Sequence, residues 1–139
     1  MAPAPTVVVH GRAHLRMVWR AALGRSEPII ARTAPGAAAY AGALYLSKAM
    51  QAARAEIGPA PVRVVLDCDD DAALALGALR TGWEEIAFAG SATVRAKIAD
   101  IAGQRGAAVV ETLPIPDLDL GVAAQPERAL AELLDRARP

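Results

Sequence analysis

Five short apolar runs recur along the chain, and their spacing constrains the fold more than any other feature. Thr6 to Val9, Pro28 to Ala31, Val62 to Leu66, Glu85 to Ala89 and Ala107 to Val110 are each four or five residues long and bounded by turn residues. A strand with one face in water alternates polar and apolar positions. These runs are mostly uninterrupted, which suits strands covered on both faces, as in a parallel sheet. Between them lies helical spacing. Leu15, Val18, Trp19, Ala22 and Leu23 form one stripe; Ala43, Leu46, Met50, Ala53 and Ile57 form another, in a long helix starting near Pro35–Gly36 and ending at Gly58–Pro59. Leu76 and Leu79, then Val94, Ile98 and Ile101, continue the theme. Gly24, Gly58, Gly82 and Gly103 or Gly106 stand where helix C-terminal caps belong.

Strand and helix therefore alternate, and the expected fold is α/β: five βα units with right-handed crossovers and a parallel sheet. Five units cannot close an eight-stranded barrel. Two arrangements remain, an open doubly wound sheet like flavodoxin or a partial TIM-barrel arc. A single domain over residues 1–139 is expected, with a flexible N-terminus (1–5), a loop over 113–125 (LPIPDLDLGVAAQ) and a C-terminal helix over 126–138. In that helix Pro126 takes the first position, and Leu130, Leu133, Leu134 and Ala137 share a face. Exposed sheet edges invite pairing, so a homodimer is expected, with Leu113–Gly121 and the last helix covering what further barrel strands would cover.

Composition narrows the function classes. Apolar residues make up 54% of the chain, too many for a disordered tail, yet no run approaches the ~20 residues of a spanning helix. No membrane partner is expected. Fifteen cationic and fifteen anionic side chains cancel, with no basic block, so no nucleic-acid partner is expected either. One Cys excludes an intramolecular disulfide. Met1 to Pro5 lacks the features of a secretory leader, which makes the cytoplasm the default location. Thirteen Arg against two Lys, 34 Ala and no Asn point to a GC-rich bacterial genome.

In sheets of this kind, ligands meet the carboxyl ends of the strands. Those ends offer His10-Gly11, Arg32-Thr33, the run Asp67-Cys68-Asp69-Asp70-Asp71, Gly90-Ser91 and Glu111-Thr112, with His14 early in the first helix. Four carboxylates within five residues repel one another, so a raised pKa or a bound cation is expected. Asp70 and Asp71 are equally explained as helix caps. Gly90-Ser91 reads as an N-cap or as an anion site at a helix start. Arg32 is either a partner for the Asp cluster or an anion-binding group. Glu111 is a ligand for the same cation or a solvated strand end. Cys68, flanked by carboxylates, is expected to have a raised pKa and to be a poor nucleophile.

Several of these stretches resemble the first part of a class II fructose-bisphosphate aldolase. PIIARTAPGAAAYAGALYLSKAM resembles the family's second strand and long helix, and VRVVLDCDD its third strand with a His-x-Asp-His tetrad. GWEEIAFAGS resembles the fourth strand, which ends in Asp-Gly-Ser, and GAAVVETLP the fifth, with its Val-Glu-x-Glu-Leu-Gly motif. The likeness runs in order over roughly residues 10 to 113. It implies a barrel fold, a sugar-phosphate ligand and a catalytic Asp at Asp69. The departures argue against the activity. The family's zinc-ligand His is Asp70, the tetrad's first His is Asp67, and the second Glu of the fifth-strand motif is Leu113. The Asp before Gly-Ser is Ala89, and the last three barrel strands, with two further zinc ligands, have no counterpart.

The resulting expectation is an aldolase-like partial barrel without aldolase activity, a binding or interaction module for a small anionic ligand such as a sugar phosphate. His10, Arg32, Gly90 and Ser91 are its candidate binding residues. The alternative is a metal-dependent lyase or phosphatase in which Asp67, Asp70 and Glu111 hold a divalent cation. All-carboxylate ligands favour Mg²⁺ or Ca²⁺ over zinc. An apolar strand followed by Asp-x-Asp also resembles the haloacid dehalogenase phosphatases, with Asp67 as nucleophile, Asp69 as acid/base and Ser91 as the second-motif hydroxyl. No acidic pair follows the fifth strand, and Asp71 stands where Thr or Val is expected.

Overall fold

A computed structural model describes residues 3–111 and 113–137. Strands β1 (Thr6–Val9), β2 (Ile29–Thr33), β3 (Val62–Asp67), β4 (Glu85–Ala87), β5 (Ala108–Val110) and β6 (Leu118–Asp119) form one parallel sheet in the order β5-β4-β3-β2-β1-β6. Helices α1 (Arg12–Ala22), α2 (Ala43–Ile57), α3 (Ala72–Thr81), α4 (Ala92–Gln104) and α5 (Pro126–Arg136) alternate with them. A π-helical turn over Ala38–Gly42 leads into α2.

Each of the first five strands lies beside its predecessor on the same side, so every right-handed crossover falls on one face. Burial agrees. The main core joins Val7, Val9, Ile29, Ala31, Val64, Leu66 and Ile86 to apolar residues from all five helices. The opposite face carries a small separate cluster, Ile30, Val65 and Ala87, against Ala4, Val110 and Leu113. Of the two expected arrangements, the sheet is therefore the arc, not the doubly wound sandwich, which would place helices on both faces.

The helical stripes pack as their spacing predicts, with Leu15, Val18, Trp19, Leu46, Ala53, Leu79, Ile98, Leu130, Leu133 and Leu134 buried. Leu23 is an exception: it follows the last turn of α1 and is exposed. Gly82 ends α3 in the left-handed conformation, its N–H donating to Ala78 and Leu79 carbonyls.

Residues 113–125 are not simply a loop, as their Pro and Asp content suggests. Leu118–Asp119 pairs with β1 on the side away from β2, a sixth strand beside the first. Five inter-strand steps at about 4.8 Å put β5 and β6 roughly 24 Å apart along a flat sheet. The eight Cα steps from Val110 to Leu118 reach at most about 28 Å. The connection is too short to pass around the helices, and its described part, 113–117, lies across the concave face. There Leu113 joins the small apolar cluster, the Pro114 carbonyl accepts from Arg32 Nη1 at 2.9 Å, and Asp117 exchanges hydrogen bonds with the Thr6 backbone. The crossing segment thus covers the inner face. α5 lies instead on the helical side, packed with α1, and not where further barrel strands would stand. At the other terminus Pro5 is buried and its carbonyl accepts from Ile30 N–H, so part of the expected flexible segment is held; residues 1–2 lie outside the described residues.

Candidate functional site

The acidic run begins on the concave face, where Asp67 ends β3. Its Oδ2 accepts from Gly36 N–H at 2.8 Å and its Oδ1 from Asp69 N–H at 3.1 Å. Its own N–H donates to the buried Thr33 hydroxyl at 2.9 Å. Asp67 therefore stitches the β2–α2 turn to the end of β3, and both its oxygens serve backbone donors. Asp71 caps α3 by accepting from Leu74 N–H. Asp69 and Asp70 are exposed, Asp69 at φ 52°, a left-handed conformation that Asp tolerates better than most residues. Glu111 is exposed beyond β5, with β4 between it and β3. Among the described residues no three His, Cys, Asp or Glu side chains are grouped so as to hold a metal ion. The structure thus does not bring Asp67, Asp70 and Glu111 together as ligands, and the donor set fits neither zinc nor a hard cation.

Between these carboxylates Cys68 is buried. Its thiol is pushed up to about 12, mainly by that burial and further by the negative charges of Asp67 and Asp71. The raised pKa agrees with the expectation, with burial rather than the flanking charges as the larger cause.

The other candidates separate. Arg32 points into the concave face, donates to the Pro114 carbonyl, and has its Nε buried without a partner among the described residues. Its contact is with the crossing segment, not the Asp cluster. Ser91 caps α4 by accepting from Val94 N–H at 3.3 Å. Gly90 leaves room for the Phe88 ring, into which a Cβ would project.

A second constellation forms where β1 and β6 end. His10 Nε2 lies 2.7 Å from Asp119 Oδ1, the oxygen that also accepts from Gly121 N–H at 2.8 Å. His10 N–H donates to His14 Nδ1 at 3.0 Å, and the two rings meet edge to face, 5.7 Å between centroids. A Cβ on Gly121 would stand 2.6 Å from the His10 ring, so a glycine is what lets the imidazole reach the carboxylate. A Cβ at Gly11, which precedes α1, would lie 3.6 Å from the Tyr45 hydroxyl. Partial burial raises the pKa of Asp119, but hydrogen bonds from His10 and Gly121 and the positive field of both histidines outweigh it, and the net direction is down. His14 is lowered by burial, then by His10, against a smaller opposing pull from Asp119.

Sequence reasoning placed His10 on this rim but missed Asp119, which lies 109 residues away on a strand of two residues. The alternation Leu118-Asp119-Leu120 followed by Gly121 was the available signal. Elsewhere, a surface groove of about 450 Å³ lies between α1 and α5, lined by Arg20, Arg25, Leu130 and Leu134 among others; none of the strand-end candidates borders it.

No family model matches the chain, and no curated protein matches it. Among solved structures it is similar to that of a "putative fructose-1,6-biphosphate aldolase" from Coccidioides immitis, at 20% identity and a TM-score of 0.58. The likeness covers 76% of this chain and 39% of that one. What the two share is the fold, so the chain is an α/β arc of aldolase-like architecture spanning well under half the length of the solved chain it resembles.

Proposed function

We propose that this chain is an aldolase-like partial barrel without aldolase activity, which binds a small anionic ligand of the sugar-phosphate class at its carboxyl-end rim. One observation carries the choice of rim position. α1 opens there at Gly11 with no side-chain cap and no acid in its first turn. By contrast, α3 and α4 are capped by Asp71 and Ser91, α5 carries Glu127 in its first turn, and α2, likewise without a side-chain cap, is entered through the π-helical turn over Ala38–Gly42 and not from a free start. The first-turn N–H groups of α1 and the positive end of its dipole are available to an anion, with Arg12, His14 and the Tyr45 hydroxyl alongside. The absence of aldolase chemistry is supported by the commitment of Asp67 to two backbone donors and by the lack, among the described residues, of three side chains grouped to hold a metal ion. Association into a homodimer belongs to the same reading. It is supported by the unpaired edges of β5 and β6 and by Ile115, 87% exposed on the crossing segment.

Thermal shift and NMR titration with fructose 1,6-bisphosphate and with inorganic phosphate test the proposal. Ligand at a hundred times its dissociation constant stabilises by ~2.7 kcal/mol, roughly 9 °C for a chain of this length. The expected result is such a rise with amide shifts concentrated at Gly11–His14. No rise at millimolar ligand, shifts confined to another part of the chain, or catalytic cleavage of the bisphosphate would overturn the reading.

A further inference from the structure

We infer that His10, oriented by Asp119, is a general base on this rim, and that it drives attack of water on a small carboxylic ester. The argument starts from proton positions. An ionised carboxylate only accepts hydrogen bonds, so the ring nitrogen facing Asp119, Nε2, carries the proton. In the neutral ring that leaves the Nδ1 lone pair free to take a proton from a ligand. His14 has the complementary form: its Nδ1 accepts from His10 N–H, so in the neutral ring its proton sits on Nε2, a donor. A base oriented by a carboxylate, beside uncapped N–H groups at a helix start, is the arrangement that acyl transfer to water requires.

Gly121 supplies an independent sign that the pair is built. Alanine there would displace the imidazole, and Gly121 N–H itself holds the carboxylate oxygen that holds His10. In the reaction, His10 Nδ1 takes a proton from water as the water oxygen attacks the carbonyl carbon. The carbonyl electron pair moves to oxygen, where the first-turn N–H groups and His14 Nε2–H stabilise it. The tetrahedral species collapses, the bond to the alcohol oxygen breaks, and His10 returns its proton to that oxygen. The products are the acid and the alcohol, and water is the only co-reactant. Asp119 is a positioning residue, since it acts through His10.

This inference uses α1's first turn, as the proposed anion site does, so its test keeps the two apart. p-Nitrophenyl acetate is the probe, with wild type, His10→Gln and Asp119→Asn compared near neutral pH. Wild type is expected to release many equivalents of p-nitrophenolate per chain, with an approximately 100-fold loss in His10→Gln. A smaller loss is expected in Asp119→Asn, with its pH profile displaced. Nitrogen NMR of wild type is expected to show His10 with Nδ1 unprotonated, a readout that holds even if a variant fails to fold. Release that stops at one equivalent, release unchanged in His10→Gln, or a proton found on His10 Nδ1 would overturn the inference. If one of those results removes the base, phosphate-induced shifts at Gly11–His14 in the same protein would show the anion site standing on its own.

Discussion

Replacing Gly121 by alanine separates the worth of the His10–Asp119 contact from the ordinary effect of losing a glycine. Gly121 is not in the left-handed backbone region, so alanine fits its φ without strain. Removing a glycine stabilises by about 0.4–1 kcal/mol through the unfolded chain. Against that stands the new Cβ, 2.6 Å from the His10 ring. The imidazole can swing away, so the cost is not the overlap but the contact given up. A hydrogen bond to a charged group is worth about 1.5–3 kcal/mol when well shielded. Here the partners are 38% and 33% exposed, which brings it to roughly 1–1.5 kcal/mol. The net expectation is a loss of about 0.5 kcal/mol. Gly77→Ala is the control: it lies inside α3 with nothing within 4 Å of its Cβ, so alanine should stabilise by ~1 kcal/mol. A domain of this length unfolds with about 0.3 kcal/mol per degree of entropy, so the two variants should melt roughly 5 °C apart. Urea and thermal unfolding measure the difference, and the His10→Ala background should abolish the Gly121 penalty. A Gly121→Ala variant stabilised as much as Gly77→Ala would refute the reasoning, because His10 would then not be held against Asp119.

Two further expectations rest on charge and on the sheet edges. His14 is held below its ordinary 6.5, so the unfolded chain takes up that proton first; stability is untouched above pH 6.5 and falls as pH drops from there toward the folded value. Asp119 is held below 3.8, so its stabilisation is present above that value and is lost as pH falls through the folded pKa. Urea unfolding across this range should show both losses, and a His14→Gln variant with the wild-type slope just below pH 6.5 would contradict the first. For assembly, light scattering of the purified chain should give twice 14.4 kDa, with Ile115→Lys shifting it toward the single mass; a wild-type reading of 14.4 kDa would refute the homodimer.

How much of this was legible depended on where each residue's partner lay in the chain. The first strands were readable because most of their residues are covered on both faces, most completely in β1, which leaves the run Thr6–Val9 almost wholly apolar; β5, at the sheet edge, is only half-buried and was read from its short apolar run. Strand ends were less so. Arg32 and Asp67 belong to β2 and β3 but point into the concave face, so their charge reads as a boundary. Ser91 and Asp71 were legible as caps because their partners lie three residues on. Asp67 was not, since its partners include Gly36, 31 residues away, and its commitment to the backbone makes an apparent metal ligand a structural tie. β6 is two residues long, so the alternation Leu118-Asp119-Leu120 around it is too short to stand out from a Pro- and Asp-containing loop.

The crossing segment also accounts for the one arginine whose place in a strand has no local rationale. An arc with all its helices outside needs a cover for its concave face, and here the chain's own backbone supplies it. That backbone carries Pro114 and Pro116, which have no N–H and cannot continue a strand ladder. Its carbonyls still need donors. Arg32 reaches up from β2 to the Pro114 carbonyl, and Asp117 re-enters regular pairing through Thr6, one step before β6 begins. A charged side chain mid-sheet is thus the consequence of a proline-containing lid. With the lid occupying the concave face and Asp67 drawn into the β2–α2 turn, the polar groups nearest to free use are those where β1 and β6 end together. That junction exists only because the lid delivers β6 to the far edge. The same connection that fills the barrel interior assembles His10 and Asp119, so weakening the lid, for example by Leu113→Ala, should loosen the histidine–carboxylate pair without touching either residue.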